Sequence, residues 1–448
     1  MMNRPKIHLT APKNWINDPN GLIYYKGEYH VFYQYFPYDT QWGTMHWGHA
    51  TSKDLVNFEH HDMALFPSKE FDKNGCFSGS ALEKDGKLYL YYTGVNYLTH
   101  EKENVHKPYN NSFESYQVSI SSEDGYNFDN FNDKKLIIPP IEDLNLGHPT
   151  HTRDPKVWKY KDKYSMILGS KFKREDSDKY IGEALFYTSL DGENWKYKNR
   201  YYNESIGDMW ECPDLFNVNG KHILIMSPEN IINDGINYTN NSIYSIVDFN
   251  EDTYEMKMTN KYNYLDEGLD VYAPQTMIDK YGNRVMIAWI RMPEKFENEN
   301  WIGMMTLPRV INIIDDKVHF TVPDYIQNLF TKEISLSEFN LNVPCRIKAK
   351  LTVDGTINIG GYRISVKDDC ILANRKDVFV ESDFKAVEFK SSKLNGKYDL
   401  DIFIDKGIVE VFINDGEYVI TNVVYNMNQF IEYNNTFEFK IFEFINKK

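Results

Sequence analysis

Five short polar clusters recur along the first two thirds of the chain, each containing side chains able to hold or move protons. They are Asn17-Asp18-Pro19-Asn20-Gly21, Phe77-Ser78-Gly79-Ser80, Arg153-Asp154-Pro155, Glu211-Cys212-Pro213-Asp214 and Asp270-Val271-Tyr272-Ala273-Pro274-Gln275. A single Asp-Pro is ordinarily a turn residue. Acids at matching places in several clusters are harder to explain that way. If Asp18, Asp154, Glu211 and possibly Asp270 meet in space, their charges repel and one carboxyl keeps its proton near neutral pH. Two carboxyls with separated proton affinities are what acid-assisted cleavage of a glycosidic bond requires. No other reaction class has its residues here: the chain lacks G-x-S-x-G, a P-loop, a dinucleotide fingerprint and H-E-x-x-H. His46 and His49 stand three apart and read as structural rather than as metal ligands. No metal or organic cofactor is expected.

The elements that must position these clusters are hairpins. Immediately after the clusters, segments beginning at residues 22, 81, 157, 215 and 277 each read as an apolar strand, a turn and a second apolar-aromatic strand. The turns are Lys-Gly, Asp-Gly, Lys-Asp, Asn-Gly and Tyr-Gly-Asn, which favour tight strand reversal. A second hairpin follows at 50–61, 119–130 and 185–199, with a looser version at 244–257. Four strands in roughly 60 residues make a propeller blade, and five such units make five blades. Equivalent positions of all blades face the central axis, so the five clusters converge in one funnel.

After Arg309 the pattern changes. Residues 318–323 resemble a closing strand, 324–333 have weak helical or linker character, and short alternating strands follow from about Ile334. The expected fold is all-β: a five-bladed β-propeller over 1–316, a linker over 317–333 and a β-sandwich over 334–448.

Composition narrows the class further. Aromatic residues make up 15%, with 33 Tyr and 27 Phe, which suits half-buried pleated surfaces. A net charge of −15 without a basic run disfavours nucleic-acid and membrane-surface partners. Met1 to Thr10 has no apolar h-region, and the four cysteines are scattered without a C-x-x-C pair. Both features point to a cytoplasmic, reducing location.

At Trp15–Gly21, WINDPNG, the chain resembles glycoside hydrolase family 32, the invertase, sucrose-6-phosphate hydrolase and fructanase group. The likeness continues through Tyr33-Gln34-Tyr35, Trp42-Gly43, Met45-His46-Trp47-Gly48-His49, Phe77-Ser78-Gly79-Ser80 and Arg153-Asp154-Pro155. Trp210-Glu211-Cys212-Pro213-Asp214, Tyr272-Ala273-Pro274-Gln275, Ala288-Trp289 and Leu307-Pro308-Arg309 extend it. The resemblance implies that Asp18 is the nucleophile, Glu211 the general acid/base and Asp154 the transition-state stabiliser. It implies that Asn17, Gln34, Trp42, Phe77, Ser78, Arg153, Tyr272 and Trp289 bind the sugar. It also implies retention through a covalent fructosyl-enzyme, with the two carboxyls about 5–5.5 Å apart. Thr152 and Thr306 depart from the family pattern, where an aromatic and a Ser are usual.

From the residues themselves, Asn17 and Asn20 should keep Asp18 ionised, and a Trp210 wall should raise the proton affinity of Glu211. The expected substrate is sucrose or sucrose 6-phosphate, with an exo-acting fructan hydrolase as the alternative reading. An inverting five-bladed glycosidase and a non-catalytic sugar-binding propeller are further readings, separated by anomer analysis and by turnover. Lys53, Lys69 and Lys73, near the early loops, are candidates for a phosphate site.

Overall fold

Alternating apolar residues closed by left-handed turns dictate how this chain pairs. The computed structural model describes residues 4–174, 176–233, 236–380 and 386–446, and the side chains of 232–240 are also outside the description. Residues 1–3 of the expected propeller, and 381–385 and 447–448 of the expected sandwich, thus lie outside the described residues. At the expected reversals Lys26-Gly27, Asp85-Gly86 and Asn219-Gly220, both residues have positive φ, as a two-residue hairpin turn requires.

Five antiparallel sheets form the blades. Their innermost strands are Asn14–Tyr25, Gly75–Lys84, Arg153–Tyr160, Met209–Val218 and Val271–Ile278. These five pack against one another in a closed cycle, the fifth returning to the first. A parallel pairing of Asn14 and Trp15 with Trp301 and Ile302 ties the closing segment of blade 5 to blade 1. The outer hairpins of blades 1 to 3 share a Ser-x-Asp turn at Ser52, Ser122 and Ser189. In each, the Asp carboxylate accepts backbone N–H groups two and three residues ahead.

The outer hairpin of blade 5 is Arg309–Ile314 followed by Lys317–Thr321. Its second strand overlaps the closing strand expected at 318–323 and the start of the linker expected over 317–333. Its turn, Asp315-Asp316, has φ 48° and 62° with no glycine, so it lacked the composition used to recognise the others. We propose a domain division just after Thr321. The expected helical character of 324–333 reduces to one turn, Asp324–Gln327, and Lys332–Ile334 is already a sandwich strand.

The C-terminal β-sandwich is built around two long strands, Cys345–Ile359 and Ile431–Glu443, rather than short strands alone. Along one edge, Cys345–Ile359 pairs first with Asp399–Asp405 and then, beyond an irregularity at Leu351, with Tyr362–Lys367. Such a break in a ladder bends the strand and lets it pass from one layer to the other. Ile347, Ile364, Ile402, Val411 and Ile420 meet between the layers.

The two domains are joined through buried charge. Asp270, placed provisionally in the funnel by its cluster, is instead fully buried against Arg375 of the sandwich. It also accepts the Val423 N–H at 2.8 Å. Asp270 therefore fastens domains and does no chemistry in the funnel. Arg309 joins Asp266 at 2.9 Å and Glu410 at 2.7 Å. His8 bridges Asp405 at 3.1 Å and Glu410 at 2.9 Å.

Burial opposes a charge on His8, but Asp405 and Glu410 outweigh it and raise its pKa from 6.5 to about 9. A raised histidine stabilises the fold fully below pH 6.5 and loses that contribution as pH climbs through about 9, a difference of about 3 kcal/mol. Melting curves at pH 6.5 and 9.5 should show a smaller alkaline loss for His8→Asn than for the unmodified chain. Equal losses in both proteins would remove His8 from this role.

Candidate active site

One feature of the backbone aims all five clusters. In each innermost strand the ladder to its neighbour skips, between Ile16 and Pro19, Phe77 and Gly79, Glu211 and Asp214, and Tyr272 and Gln275. In blade 3 the skip falls opposite Ile167 and Gly169, at Asp154-Pro155. Each skip is a β-bulge, which turns a strand and redirects its side chains. Proline fits there because the interrupted ladder does not need its missing N–H. Asp154, Cys212 and Ala273, each just before a proline, have φ of 66°, 47° and 49°. Such left-handed backbone is costly for Cys and Ala, and it persists where surrounding packing demands it.

The bulges open onto one cavity of about 450 Å³ on the axis. Asn17, Asp18, Gln34, Trp42, Phe77, Ser78, Arg153, Asp154, Glu211, Tyr272 and Trp289 all line it. The structure thus brings these residues together in one cavity, whereas Asp270, Lys53, Lys69 and Lys73 stay outside it. Asp18 sits partly open at the floor, accepting Ser78 Oγ at 2.5 Å and Asn17 Nδ2 at 3.0 Å. Trp15 Nε1 in turn fixes Asn17 Oδ1 at 2.7 Å. Asn20 takes no part: it is fully buried and its Oδ1 accepts the Gly79 N–H at 3.3 Å. Asp18 is nonetheless raised from its ordinary pKa, because burial outweighs the Ser78 and Asn17 donors.

Asp154 accepts the Cys212 backbone N–H at 2.9 Å, and its own N–H bonds Thr93 Oγ1 at 3.0 Å. Cys212 Sγ lies 3.6 Å from both Asp18 Oδ2 and Asp154 Oδ2, so blades 1, 3 and 4 meet at one thiol. Burial pushes Asp154 up to about 7 against the pull of Arg153.

Glu211 is gripped from two sides. Arg153 Nη2 donates to its Oε1 at 2.6 Å, and the Tyr272 hydroxyl donates to its Oε2. Tyr272 also reaches the Ser227 carbonyl at 3.2 Å, which fixes its ring. The expected aromatic wall is absent. Trp210 points the opposite way, into the core between blades 3 and 4, with its Nε1 donating to Ile206 O at 2.7 Å. A Cβ on Gly182 would stand 2.3 Å from that indole, so a glycine makes room for it. Alternation along a strand explains the reversal: neighbours 210 and 211 face opposite sides.

The floor carries the aromatic walls. Trp42 meets Phe77 edge-on at 5.8 Å, and Trp289 meets Trp15 at 5.7 Å. Gln34 is anchored by the Cys76 carbonyl at 3.0 Å. Of the two family departures, Thr152 is buried against Ser170 Oγ at 2.8 Å, and Thr306 accepts the Ala288 N–H at 3.1 Å. Both are packing positions.

Sequence reasoning missed several lining residues: Cys212, Glu229, His151, Phe113 and the rim group Glu101, Lys107, Pro108 and Asn111. Glu229 lies 3.6 Å from Arg153 Nη2, on the nitrogen that also holds Glu211, and burial pushes it up to about 7. Its only signal was an acid ending an apolar strand. The rim group had a clearer one. Blade 2 is the long repeat, and its excess includes the loop between Lys87–Tyr97 and Phe113–Ser122 that carries the rim.

Comparison with known proteins agrees with this geometry. The profile described as "Glycosyl hydrolases family 32 N-terminal domain" matches residues 8–322, and that for the family 32 C terminal matches 364–444. The chain is 33% identical over 445 residues to a sucrose-6-phosphate hydrolase of Bacillus subtilis (strain 168), covering 94% of this chain and 88% of that protein. It is 30% identical over 446 residues to a raffinose invertase of Escherichia coli, covering 94% and 89%. Among solved structures, a sucrose-6-phosphate hydrolase from Lactobacillus gasseri superposes with a TM-score of 0.84 at 26% identity, over 99% of this chain and 93% of that one. A Bombyx mori GH32 beta-fructofuranosidase in complex with sucrose superposes with a TM-score of 0.81 at 28% identity, over 99% and 94%. With a five-bladed ring, a trailing sandwich and three acids on the ring axis, this chain belongs to glycosyl hydrolase family 32.

Proposed function

We propose that this protein is a retaining β-fructofuranosidase that hydrolyses the fructosyl bond of sucrose or sucrose 6-phosphate. The observation that carries this reading is the single cavity holding Asp18, Asp154 and Glu211 between aromatic walls. Asp18 attacks the anomeric carbon of the fructosyl unit while Glu211 gives its proton to the departing glycosidic oxygen, leaving a fructosyl ester on Asp18. Glu211 then takes a proton from water, which attacks the same carbon and frees Asp18. Arg153 stabilises the Glu211 carboxylate that remains after each donation. Asp154 accepts sugar hydroxyls and places negative charge beside the oxocarbenium-like transition state. Four free thiols fit a cytoplasmic location for this chemistry.

Purified protein should release fructose from sucrose or sucrose 6-phosphate, with the β-anomer appearing first by NMR. Initial appearance of the α-anomer would sink the nucleophile role of Asp18. A rate on inulin far above those on both sucroses would replace this reading with an exo-acting fructan hydrolase.

A further inference from the structure

The cavity has a buried floor and an exposed rim that differ in charge as well as depth. Its floor is the fructosyl site. The rim includes Glu101, Lys107 and Asn111 on the long blade-2 loop, facing His151 and Glu229 from blades 3 and 4. Five carboxylates line the cavity: Asp18, Glu101, Asp154, Glu211 and Glu229. Two permanent cations oppose them, and Arg153 is already committed to Glu211 at 2.6 Å and Glu229 at 3.6 Å. His151 adds no charge, since burial and then Arg153 hold its pKa well below the usual range. Lys107 remains. Its ammonium has no ion-pair partner among the described residues.

The loop that presents Lys107 is held in shape. Glu101 N–H bonds the Lys107 carbonyl at 3.0 Å, and Tyr109 N–H bonds Thr99 O at 3.0 Å. The neighbouring His106 is tied to Thr44 Oγ1 at 2.9 Å, its carbonyl accepts Tyr97 OH at 3.1 Å, and its ring stacks on Tyr38 at 5.9 Å. A cation on a stapled loop loses little freedom when it meets an anion, so its contact is effective.

Resting on the fructosidase reading above, we infer that Lys107 forms a phosphate subsite at the cavity mouth and selects sucrose 6-phosphate over sucrose. A sugar phosphate carries nearly two negative charges near neutral pH. Entering a cavity lined by five carboxylates, it needs a cation beyond the fructosyl floor, and a lysine serves phosphate as a point charge. The Asn111 amide, on the same rim, is a neutral donor for the same group. Lys53, Lys69 and Lys73 do not serve: none lines the cavity, Lys53 is 81% exposed and Lys73 pairs with Glu70 at 2.6 Å.

The test compares kcat/KM on sucrose and sucrose 6-phosphate for the unmodified enzyme, Lys107→Met, Lys107→Arg and the distant control Lys53→Met. Loss of one charged contact should cut the preference for the phosphorylated substrate about tenfold to a hundredfold in Lys107→Met, through KM, with sucrose hydrolysis falling far less. Lys107→Arg should keep most of it, and Lys53→Met all of it. Equal losses on both substrates, no loss on either, or an unmodified enzyme that cleaves sucrose but ignores sucrose 6-phosphate each overturn the assignment. The last two leave the fructosidase reading standing, whereas an unmodified enzyme that releases fructose from neither fails that reading too.

Discussion

Asp18→Asn should lower kcat on sucrose or sucrose 6-phosphate by about 10⁴-fold or more while leaving KM within a few-fold, because the bond-forming oxygen is lost but the pocket is not. The amide keeps the size of the carboxyl, and its oxygen can still accept the Ser78 hydroxyl now 2.5 Å away. The folded state should not suffer. Asp18 lies 3.6 Å from Cys212 Sγ, which is equally close to Asp154, and Glu211 adds to the charge that raises Asp18. Removing one of these like charges relieves repulsion, so the variant should melt at the same temperature as its parent or higher. A calorimetric scan beside a fructose-release assay checks both halves. Substantial turnover by a well-folded Asp18→Asn protein would rule out covalent catalysis at this residue.

Glu211→Gln should cost about 10²- to 10⁴-fold in kcat, the usual range for removing a positioned general acid. The loss should depend on the leaving group. With fructosyl fluoride, whose departing ion needs no proton, the first step should return close to the parental rate and the second should become limiting. Covalent fructosyl-enzyme should then accumulate and be visible by mass spectrometry as an adduct on Asp18. An equal loss on fructosyl fluoride and on the natural disaccharide, with no adduct, would show that Glu211 matters for holding Arg153 and Tyr272 rather than for moving a proton. Those two residues are the reason to expect retained geometry: the glutamine oxygen can still accept from one of them.

How much of this was legible beforehand varies with the distance over which each interaction acts. Two-residue turns such as Asp85-Gly86 and Asn219-Gly220 declare themselves locally, because positive φ demands particular residue types. Five repeats of strand, turn and strand then leave little choice but a ring. Once a ring is granted, the matching clusters must share its axis, which is how Asp18, Asp154 and Glu211 could be paired across nearly two hundred residues. Of the blade-5 outer hairpin only the closing strand at 318–323 was legible, because Asp315-Asp316 makes the same turn without glycine.

What the chain alone determined, then, was the set of acids and the ring that gathers them, since both follow from short-range stereochemistry repeated five times. Tertiary packing decided which neighbour each acid answers to. Asp270 looked like a fourth member of the funnel, yet Arg375, 105 positions away, draws it into the domain interface. Trp210 looked like a wall for Glu211, yet strand alternation and the gap above Gly182 turn it into the seam between blades 3 and 4. Arg153 and Tyr272 hold Glu211 instead, across 58 and 61 positions. The electrostatic surroundings of a buried group depend on everything within a few ångströms, and that shell is assembled from separate blades only when the ring closes.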